Sequence, residues 1–342
     1  MRLILKIRHF IGMGIVLLLI RVMNRYQAVN RSPGFLVSLT LKLHNLFSKA
    51  VHGSALFDSM QYMHSNRVPF KNADTGQISL WIEIVIVTTS KDFTTLPLCV
   101  SGGLQSVKNY EKVTVAIYVP DHEVSECKAL FSESEGRYLE IFPESLLVSK
   151  ENIGRLRDHF QNRAGWVLQQ CLKVVAVLRS NANGVLIIDS DTILTKTRNW
   201  LDPLGHQILT PTIDRHPSYY KFLVNNNVIK NERPEFPLVP HHTLMQPKYF
   251  NELIDRFFMN FDGLFETLFE YDIAKDQSPF CIEYELYGQY MWRFHPEKIK
   301  LEKWANISLE RESFLDINGK LQIPHKIRDK YASVSFHDWQ SW

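Results

Sequence analysis

From Leu80 onward, short β-branched apolar runs alternate with segments whose apolar residues recur at helical spacing. The runs have the composition of strands buried on both faces, as in a sheet covered by helices. They lie at 81–89, 112–119, 138–142 and 184–188, and helical spacing recurs at 165–179, 248–258, 262–271 and 281–292. This alternation predicts an α/β fold with a mostly parallel sheet flanked by helices.

The N-terminal segment, residues 1–57, has eight Lys and Arg residues and no acid, although the 342-residue chain has a net charge of only +3. Its apolar run at 10–20 is shorter than the roughly 20 residues that span a bilayer, and 32–50 has amphipathic helical spacing. We predict membrane-anchor or interfacial helices at 1–57, a linker at 58–79 and a catalytic domain at 80–342. A helix packed on the protein's own body and an organelle-targeting peptide remain alternatives.

Two further features of composition limit the partners and the compartment. The body, residues 58–342, has no basic stripe interleaved with aromatic residues, so nucleic acid is not expected as a partner. The four cysteines, Cys99, Cys127, Cys171 and Cys281, are far apart and form no CxxC pair. This spacing favours neither a zinc site nor a disulfide framework. We therefore expect a membrane-associated protein with its catalytic domain in the cytoplasm.

The apolar run at 184–188 leads directly into Asp189, Ser190, Asp191 and Thr192. In open α/β sheets, ligands bind outside the carboxyl ends of the strands. Two carboxylates at such an end are well placed to bind a hard divalent cation, which would in turn bind phosphate oxygens. The alternative is a simple strand-terminating turn, since Asp and Ser are common turn residues.

Three segments in sequence order resemble glycosyltransferases of the GT-A fold, and most closely a bacterial domain-of-unknown-function family assigned to glycosyltransferases. The family's pattern combines an RxGWxxQQxxK helix, a DxDT and a later EYxxYG. Here the segments are RAGWVLQQCLK at 163–173, DSDT at 189–192 and EYELYG at 283–288. The resemblance implies a GT-A-like, Rossmann-like domain over roughly residues 80–340 that transfers a sugar from a nucleotide-sugar to an acceptor hydroxyl.

The same resemblance implies roles for individual residues. Asp191 would coordinate Mn²⁺ or Mg²⁺, and Asp189 would contact the metal or the ribose of the donor. The metal would neutralise charge on the departing diphosphate. The other implied donor contacts are Arg163 and Lys173 at the diphosphate or nucleotide, and Thr88, Thr89 and Asp92 at the base and ribose. For Lys173, a solvated helix face is equally consistent with the sequence.

Two carboxylates, Glu283 and Glu285, lie in an aromatic setting and are candidates for the base of an inverting enzyme. Such a base removes the proton of the acceptor hydroxyl and has a pKa raised by burial. Two residues apart on a helix, the pair cannot face the same way, and we favour Glu283. A buried structural ion pair is the alternative.

Three histidines are candidates for the site as well. His337, near the C-terminus, resembles the third metal ligand of several GT-A enzymes, and its alternative is a ring packed on nearby tryptophans. His241 and His242 look like a metal pair, but neighbours on a strand point to opposite faces. We interpret that pair as lining an acceptor or sugar pocket.

Together these features predict a metal-dependent glycosyltransferase that uses a glycan or lipid-linked acceptor, as in surface polysaccharide or glycolipid synthesis, with the basic segment at an inner membrane face. A haloacid-dehalogenase-type phosphatase is the enzymatic alternative. It fits less well, because its pattern needs Thr or Val where this chain has Ile193. The other alternative is a membrane-bound binding protein without catalysis.

Overall fold

The computed structural model describes residues 77–132, 138–212, 216–232, 234–272, 276, 278–302, 304, 306–317 and 319–336. The predicted membrane segment at 1–57 lies outside these residues, as does nearly all of the predicted linker. The first strand begins at Ile78, two residues inside that linker. Within the described ranges, no helix is both long enough and apolar enough to cross a membrane.

The central sheet has five strands in the order β3-β2-β1-β4-β7. Strands β1 to β4 pair in parallel, and β7 runs antiparallel to β4 at one edge. The five strands are β1 (Ile78–Val87), β2 (Tyr110–Val119), β3 (Leu139–Pro143), β4 (Gly184–Ile188) and β7 (His242–Met245). Strand β1 is buried on both faces, with Ile82, Ile84 and Ile86 on one side and Val85 and Val87 on the other. The predicted α/β class with a mostly parallel sheet is confirmed.

Five shorter strands form two small sheets beside the central one. They are β5 (Thr192–Leu194), β6 (Gln207–Leu209), β8 (Ile299–Leu301), β9 (Asn306–Ser308) and β10 (Ser333–Ser335). Strand β10 lies between β5 and β9, antiparallel to β5, whereas β6 and β8 pair in parallel. Because β5 begins directly after Asp191, this pairing brings the end of β10 to the acidic motif.

The described helices are α1 (Leu96–Ser106), α2 (Val124–Lys128), α3 (Lys150–Phe160), α4 (Ala164–Arg179), α5 (Pro217–Asn225), α6 (Pro247–Phe258), α7 (Phe261–Leu268), α8 (Tyr284–Phe294) and α9 (His325–Lys330). Helix α4 packs against α3, α6 and β1 and is buried along most of its length. Helix α1 approaches β5 closely at Gly102, where an added Cβ would lie 2.5 Å from the Leu194 carbonyl oxygen. The sheet and helix α4 therefore support the acidic motif, and α1 packs against strand β5, which follows it.

The predicted strands agree with β1 to β4, and three of the four predicted helices agree with α4, α6 and α7. The predicted start of the fourth helix at residue 281 is wrong, since α8 begins at Tyr284. Residues 278–281 are not helical because they lie along α4, where Gln170 accepts a hydrogen bond from the Ile282 amide. All four cysteines are buried and free of disulfides.

Candidate functional site

The acidic motif is a tight turn between β4 and β5, at the carboxyl edge of the parallel sheet. The Thr192 amide donates to the Asp189 carbonyl at 2.9 Å, and the Asp189 amide donates to the His241 carbonyl at 3.0 Å. The Phe336 amide, just past β10, donates to the Asp191 carbonyl at 2.9 Å. Backbone bonds from three parts of the chain therefore hold the two aspartates in place.

The carboxylate of Asp189 is the centre of a charged cluster. Its Oδ1 accepts from the Lys173 ammonium at 2.5 Å and from the Tyr284 hydroxyl at 2.7 Å, and its Oδ2 lies 3.2 Å from His241 Nδ1. Lys173 is only 2% exposed, and its ammonium also lies 3.6 Å from Glu283 Oε1. One buried cation therefore serves two carboxylates.

This arrangement shifts the pKa of Asp189 and that of Lys173 so that each group stays charged. Burial alone would raise the pKa of Asp189, but the charge and hydrogen bond of Lys173, together with His241, hold it well below its usual range. Burial alone would lower the pKa of Lys173, but Asp189 and Glu283 raise it above its usual value. The cluster is therefore an ion pair at neutral pH. The solvated helix face considered for Lys173 is wrong, because its side chain is buried.

Helix α4, which carries the RAGWVLQQCLK motif, packs against the segment that leads into the EYELYG motif. Positions 163, 166, 170 and 173 share one face of α4 and the turn before it, and they meet alternate residues of an adjoining segment, at 278, 280, 282 and 284. Arg163 donates to the Ser278 hydroxyl at 3.2 Å, Trp166 stacks on Phe280 at 5.7 Å, and the Ile282 amide donates to Gln170 at 2.9 Å. The last pair of this ladder is Lys173 with Tyr284, at 3.3 Å. The ladder therefore joins the two sequence motifs in the fold.

Arg163 lies at the far end of the same ladder. It is 6% exposed, its guanidinium lies 4.5 Å from the Trp166 ring, and burial lowers its pKa. Ten residues of helix separate it from Lys173 by about 15 Å. The resemblance implied diphosphate or nucleotide contacts for both residues, and the structure places them at opposite ends of the ladder. Both side chains are directed into the fold.

The structure separates the two glutamates that were candidates for the base. Glu283 is buried beside Lys173, and burial raises its pKa to about 6 although Lys173 acts in the opposite direction. Glu285 is fully buried and accepts hydrogen bonds from the Leu238 amide at 2.9 Å and from Gln289 at 2.7 Å. Only Glu283 belongs to the Asp189 cluster, and Glu285 binds the backbone of a loop.

The rest of the EYELYG segment also supports the fold. The Tyr287 hydroxyl donates to Gln207 Oε1 at 2.7 Å and accepts from the Gln246 amide at 2.9 Å. Gly288 lies so close to Leu238 that an added Cβ would be 2.7 Å from a side-chain carbon. By contrast, nothing lies within 4 Å of the Cβ position of Gly165 in the first motif.

The three residues assigned by resemblance to the base and ribose have different surroundings. Thr88 is 3% exposed and donates to the Thr89 carbonyl at 3.3 Å, whereas Thr89 itself is partly exposed. Asp92 is 6% exposed, and its carboxylate accepts from Ser190 and from Arg311. Of the three, Thr89 has the most accessible side chain. Asp92 lies beneath the acidic turn.

The donor set suits a hard divalent cation. Asp191 is partly exposed at the sheet edge, and its Oδ1 accepts from the Thr192 hydroxyl at 3.2 Å. A carboxylate has about four lone-pair sites, and the three donors on Asp189 fill three of them, which leaves capacity on Oδ2. Among the residues that the structure describes, no group of three His, Cys, Asp or Glu side chains is arranged to hold a metal. His337 lies outside them, and it follows Phe336 directly in sequence.

The two adjacent histidines have different environments, as expected for neighbours at a strand. His241, with φ of +63°, turns its ring to Asp189, whereas His242 is fully buried between the rings of Trp200 and Trp304. Burial lowers the pKa of His242 to about 3. His241 thus belongs to the site and His242 to the core. They do not form a metal pair.

Sequence reasoning missed four residues of this region: Ser190, His241 as a partner of Asp189, Tyr284 and Arg311. Tyr284 lies inside the EYELYG motif, so the sequence marks its position but does not show that it binds Asp189. Arg311 lies 219 residues from the aspartate it binds. No local pattern identifies such a partner.

The model of a family of unknown function (DUF6492) matches residues 103–226, which contain the α4 motif and the acidic turn but not EYELYG. This match agrees with the domain-of-unknown-function part of the predicted resemblance, and the family's description names no activity. No curated protein matches the chain.

Solved structures similar to this chain include two glycosyltransferases. One is the galactosyltransferase LgtC with donor and acceptor sugar analogues, with 10% identity and a TM-score of 0.40, covering 75% of this chain and 87% of LgtC. The other is the bifunctional glycosyltransferase WbbM, with 12% identity and a TM-score of 0.40, covering 79% of this chain and 47% of WbbM. The roles of residues in this chain are therefore argued from its own contacts.

Proposed function

We propose that this protein is a metal-dependent glycosyltransferase that moves a sugar from a nucleotide-sugar to an acceptor hydroxyl. The observation that carries the proposal is the cluster of Asp189, Lys173, Glu283 and Tyr284 beside Asp191. It lies at the carboxyl edge of a parallel sheet, where α/β proteins bind ligands. Carboxylates repel an anionic diphosphate, so the binding of a nucleotide-sugar at this cluster requires a cation between the carboxylates and the diphosphate.

Asp191 and the remaining capacity of Asp189 would hold Mn²⁺ or Mg²⁺, with His337 as the third ligand. Support for His337 comes from Phe336, whose amide binds the Asp191 carbonyl and which immediately precedes it. The cation would supply charge neutralisation for the leaving diphosphate. Lys173 has a different role in this proposal: it keeps Asp189 ionised and fixes its orientation.

Glu283 is the candidate base for the acceptor hydroxyl. A pKa of about 6 keeps it mostly ionised at pH 7 and still able to take a proton. We do not assign this role to Glu285, because it is fully buried and its carboxylate oxygens accept from Leu238 and Gln289. Thr89 is the residue we assign to the nucleoside, as the accessible side chain at the end of β1.

The acceptor and the location of the protein are further parts of the proposal. The acid-free basic segment at 1–57 would hold the catalytic domain at the cytoplasmic face of a membrane, as a lipid-linked or surface-glycan acceptor requires. Deletion of residues 1–57 should move the protein to the soluble fraction. Continued membrane association of the truncated chain would contradict this part.

The first experiment is a thermal-shift panel of nucleotides and nucleotide-sugars on the full chain, with and without Mn²⁺. A ligand at 100 times its Kd adds about 2.7 kcal/mol of stability, which is a readable shift. We expect one nucleoside diphosphate to stabilise the protein only with Mn²⁺, and Asp191→Asn to abolish the effect. Asp255→Asn, at an exposed position of α6, is the matched control and should leave the shift unchanged.

The panel also separates the two rival functions. Stabilisation by inorganic phosphate or vanadate with Mg²⁺, without any nucleotide preference, would favour the phosphatase. Absence of every shift would contradict the donor site and favour a binding protein. Release of free sugar or sugar transfer from the stabilising donor would then establish the reaction.

A further inference from the structure

A second polar cluster lies directly beneath the acidic turn, and the donor chemistry proposed above does not use it. Asp92 follows β1, and its Oδ2 accepts from the Ser190 hydroxyl at 2.8 Å while its Oδ1 accepts from Arg311 at 2.7 Å. The other arm of the Arg311 guanidinium donates to the Lys91 carbonyl at 2.5 Å. Ser190 is the residue between the two aspartates.

The contact between Asp92 and Ser190 is buried, whereas the side chain of Arg311 is 18% exposed. Asp92 is 6% exposed and Ser190 is 2% exposed, so water does not compete for the bonds between them. Arg311 binds with two nitrogens to two acceptors of the 91–92 turn, a fork geometry that Lys cannot reproduce. The hydroxyl of Ser190 is therefore anchored to a rigid point of the sheet edge.

Charge explains why an arginine is needed here. Ser190 lies between Asp189 and Asp191 and donates to Asp92, so three carboxylates belong to this turn and its support. Lys173 compensates Asp189, and Arg311 compensates Asp92. Without Arg311, the negative charge of Asp92 would be uncompensated and would repel the charges of Asp189 and Asp191 across a buried region.

We infer that Arg311 and Asp92 form a brace that holds Ser190 and thereby sets the positions of Asp189 and Asp191 for the cation. They are positioning residues and do not contact substrate. This inference rests on the proposed function only for its cation; the effect of the brace on the turn itself does not depend on it. It also replaces the expected contact of Asp92 with the base or ribose, since Asp92 is only 6% exposed and its carboxylate binds Ser190 and Arg311.

The test compares Ser190→Ala, Arg311→Ala, Arg311→Lys and the unmodified full chain by two measurements. Hydrogen exchange follows the Asp189 and Thr192 amides, whose bonds define the turn. Electron paramagnetic resonance of free Mn²⁺ gives the Mn²⁺ affinity. The matched control is Arg155→Ala, which removes another arginine with two hydrogen bonds, here both to the Glu266 carboxylate on the surface between α3 and α7.

Loss of a buried bond to a charged group should speed exchange of the turn amides by about tenfold and weaken Mn²⁺ binding by a similar factor. Arg311→Lys should give a smaller effect than Arg311→Ala, and Arg155→Ala should give none. Ser190→Ala combined with Arg311→Ala should weaken Mn²⁺ binding no more than the larger single change, since the brace acts on the turn through Ser190.

Three results would overturn the inference: unchanged turn amides in Ser190→Ala and Arg311→Ala, faster exchange with unchanged Mn²⁺ affinity, or additive effects in the double variant. If the unmodified chain binds no Mn²⁺, the proposed metal dependence fails, and hydrogen exchange alone decides whether the brace holds the turn. If Arg311→Ala does not fold, Ser190→Ala carries the test, because it removes a single hydroxyl.

Discussion

Replacement of Lys173 by Met removes a buried charge and keeps the length of the side chain. In the native protein that charge lies 2.5 Å from Asp189 and 3.6 Å from Glu283. Met fills nearly the same volume, so the cavity contribution is small. The variant must therefore keep two carboxylates buried without their cation or neutralise them with protons.

The cost of protonation sets the size of the effect. An Asp with a usual pKa near 3.9 needs about 4 kcal/mol to stay neutral at pH 7, and about 1.5 kcal/mol at pH 5. We therefore expect Lys173→Met to lower the free energy of unfolding by about 3–5 kcal/mol at pH 7, the range for a broken buried pair. The loss should shrink as the pH falls, because a proton then replaces the ammonium.

Urea denaturation at pH 5, 6 and 7 measures this loss. Addition of Asp189→Asn to the Lys173→Met chain should restore stability at pH 7, since the amide is neutral and its oxygen still accepts from Tyr284. The control is Lys150→Met, whose surface pair with Asp121 is 80% exposed on the lysine side and should be worth less than about 1 kcal/mol. A loss below about 1 kcal/mol for Lys173→Met, or one equal at pH 5 and 7, would refute the reasoning.

Three further predictions use other parts of the structure. In the same denaturation assay, Gly288→Ala should destabilise the protein by about 1–3 kcal/mol, because the added Cβ would clash with Leu238. Gly165→Ala is the control: its Cβ position is open, so it should be neutral or stabilising by up to about 1 kcal/mol. Glu283→Gln should lower kcat by about 10²–10⁴-fold and remove the loss of activity below pH 6, since a base with a pKa of about 6 works only when ionised; an unchanged pH–rate profile would exclude it as the base. Burial lowers the pKa of His242 to about 3, whereas the pKa in the unfolded chain is near 6.5. The contribution of neutral His242 to stability is therefore complete above pH 6.5 and declines by about 1.4 kcal/mol per pH unit below it. His242→Phe should flatten that decline, and a slope that persists in the variant would show that other groups cause it.

The assignment of strands and helices from the sequence was accurate where one element alone determines the pattern. Strands such as β1 and β4 are buried on both faces, so they read as continuous apolar runs whatever their neighbours are. Helix α8 was placed three residues early, because its preceding residues are held extended by α4, an effect that no spacing within 281–292 reveals.

The site was predicted in part for the same reason. Asp189 and Asp191 stand out because they directly follow a buried strand, and a strand end is a local property. The partners of Asp189 are not local: Lys173 precedes it by 16 residues, and Tyr284 follows it by 95. The resemblance implied a diphosphate or nucleotide contact for Lys173, with a solvated helix face as the alternative, because sequence spacing does not report which way a helix face is turned in the fold.

The sequence therefore determined the α/β class and the acidic turn at the end of β4. Only the tertiary structure decided that Lys173 pairs with Asp189 and Glu283, that Glu285 binds a loop, and that Asp92 joins Arg311 beneath the turn. Periodicity encodes how an element is buried, whereas neighbours depend on the strand order β3-β2-β1-β4-β7 and on chain closure through β10. Ionisation depends on groups within a few ångströms, so the chemistry of these carboxylates is set by contacts across the fold.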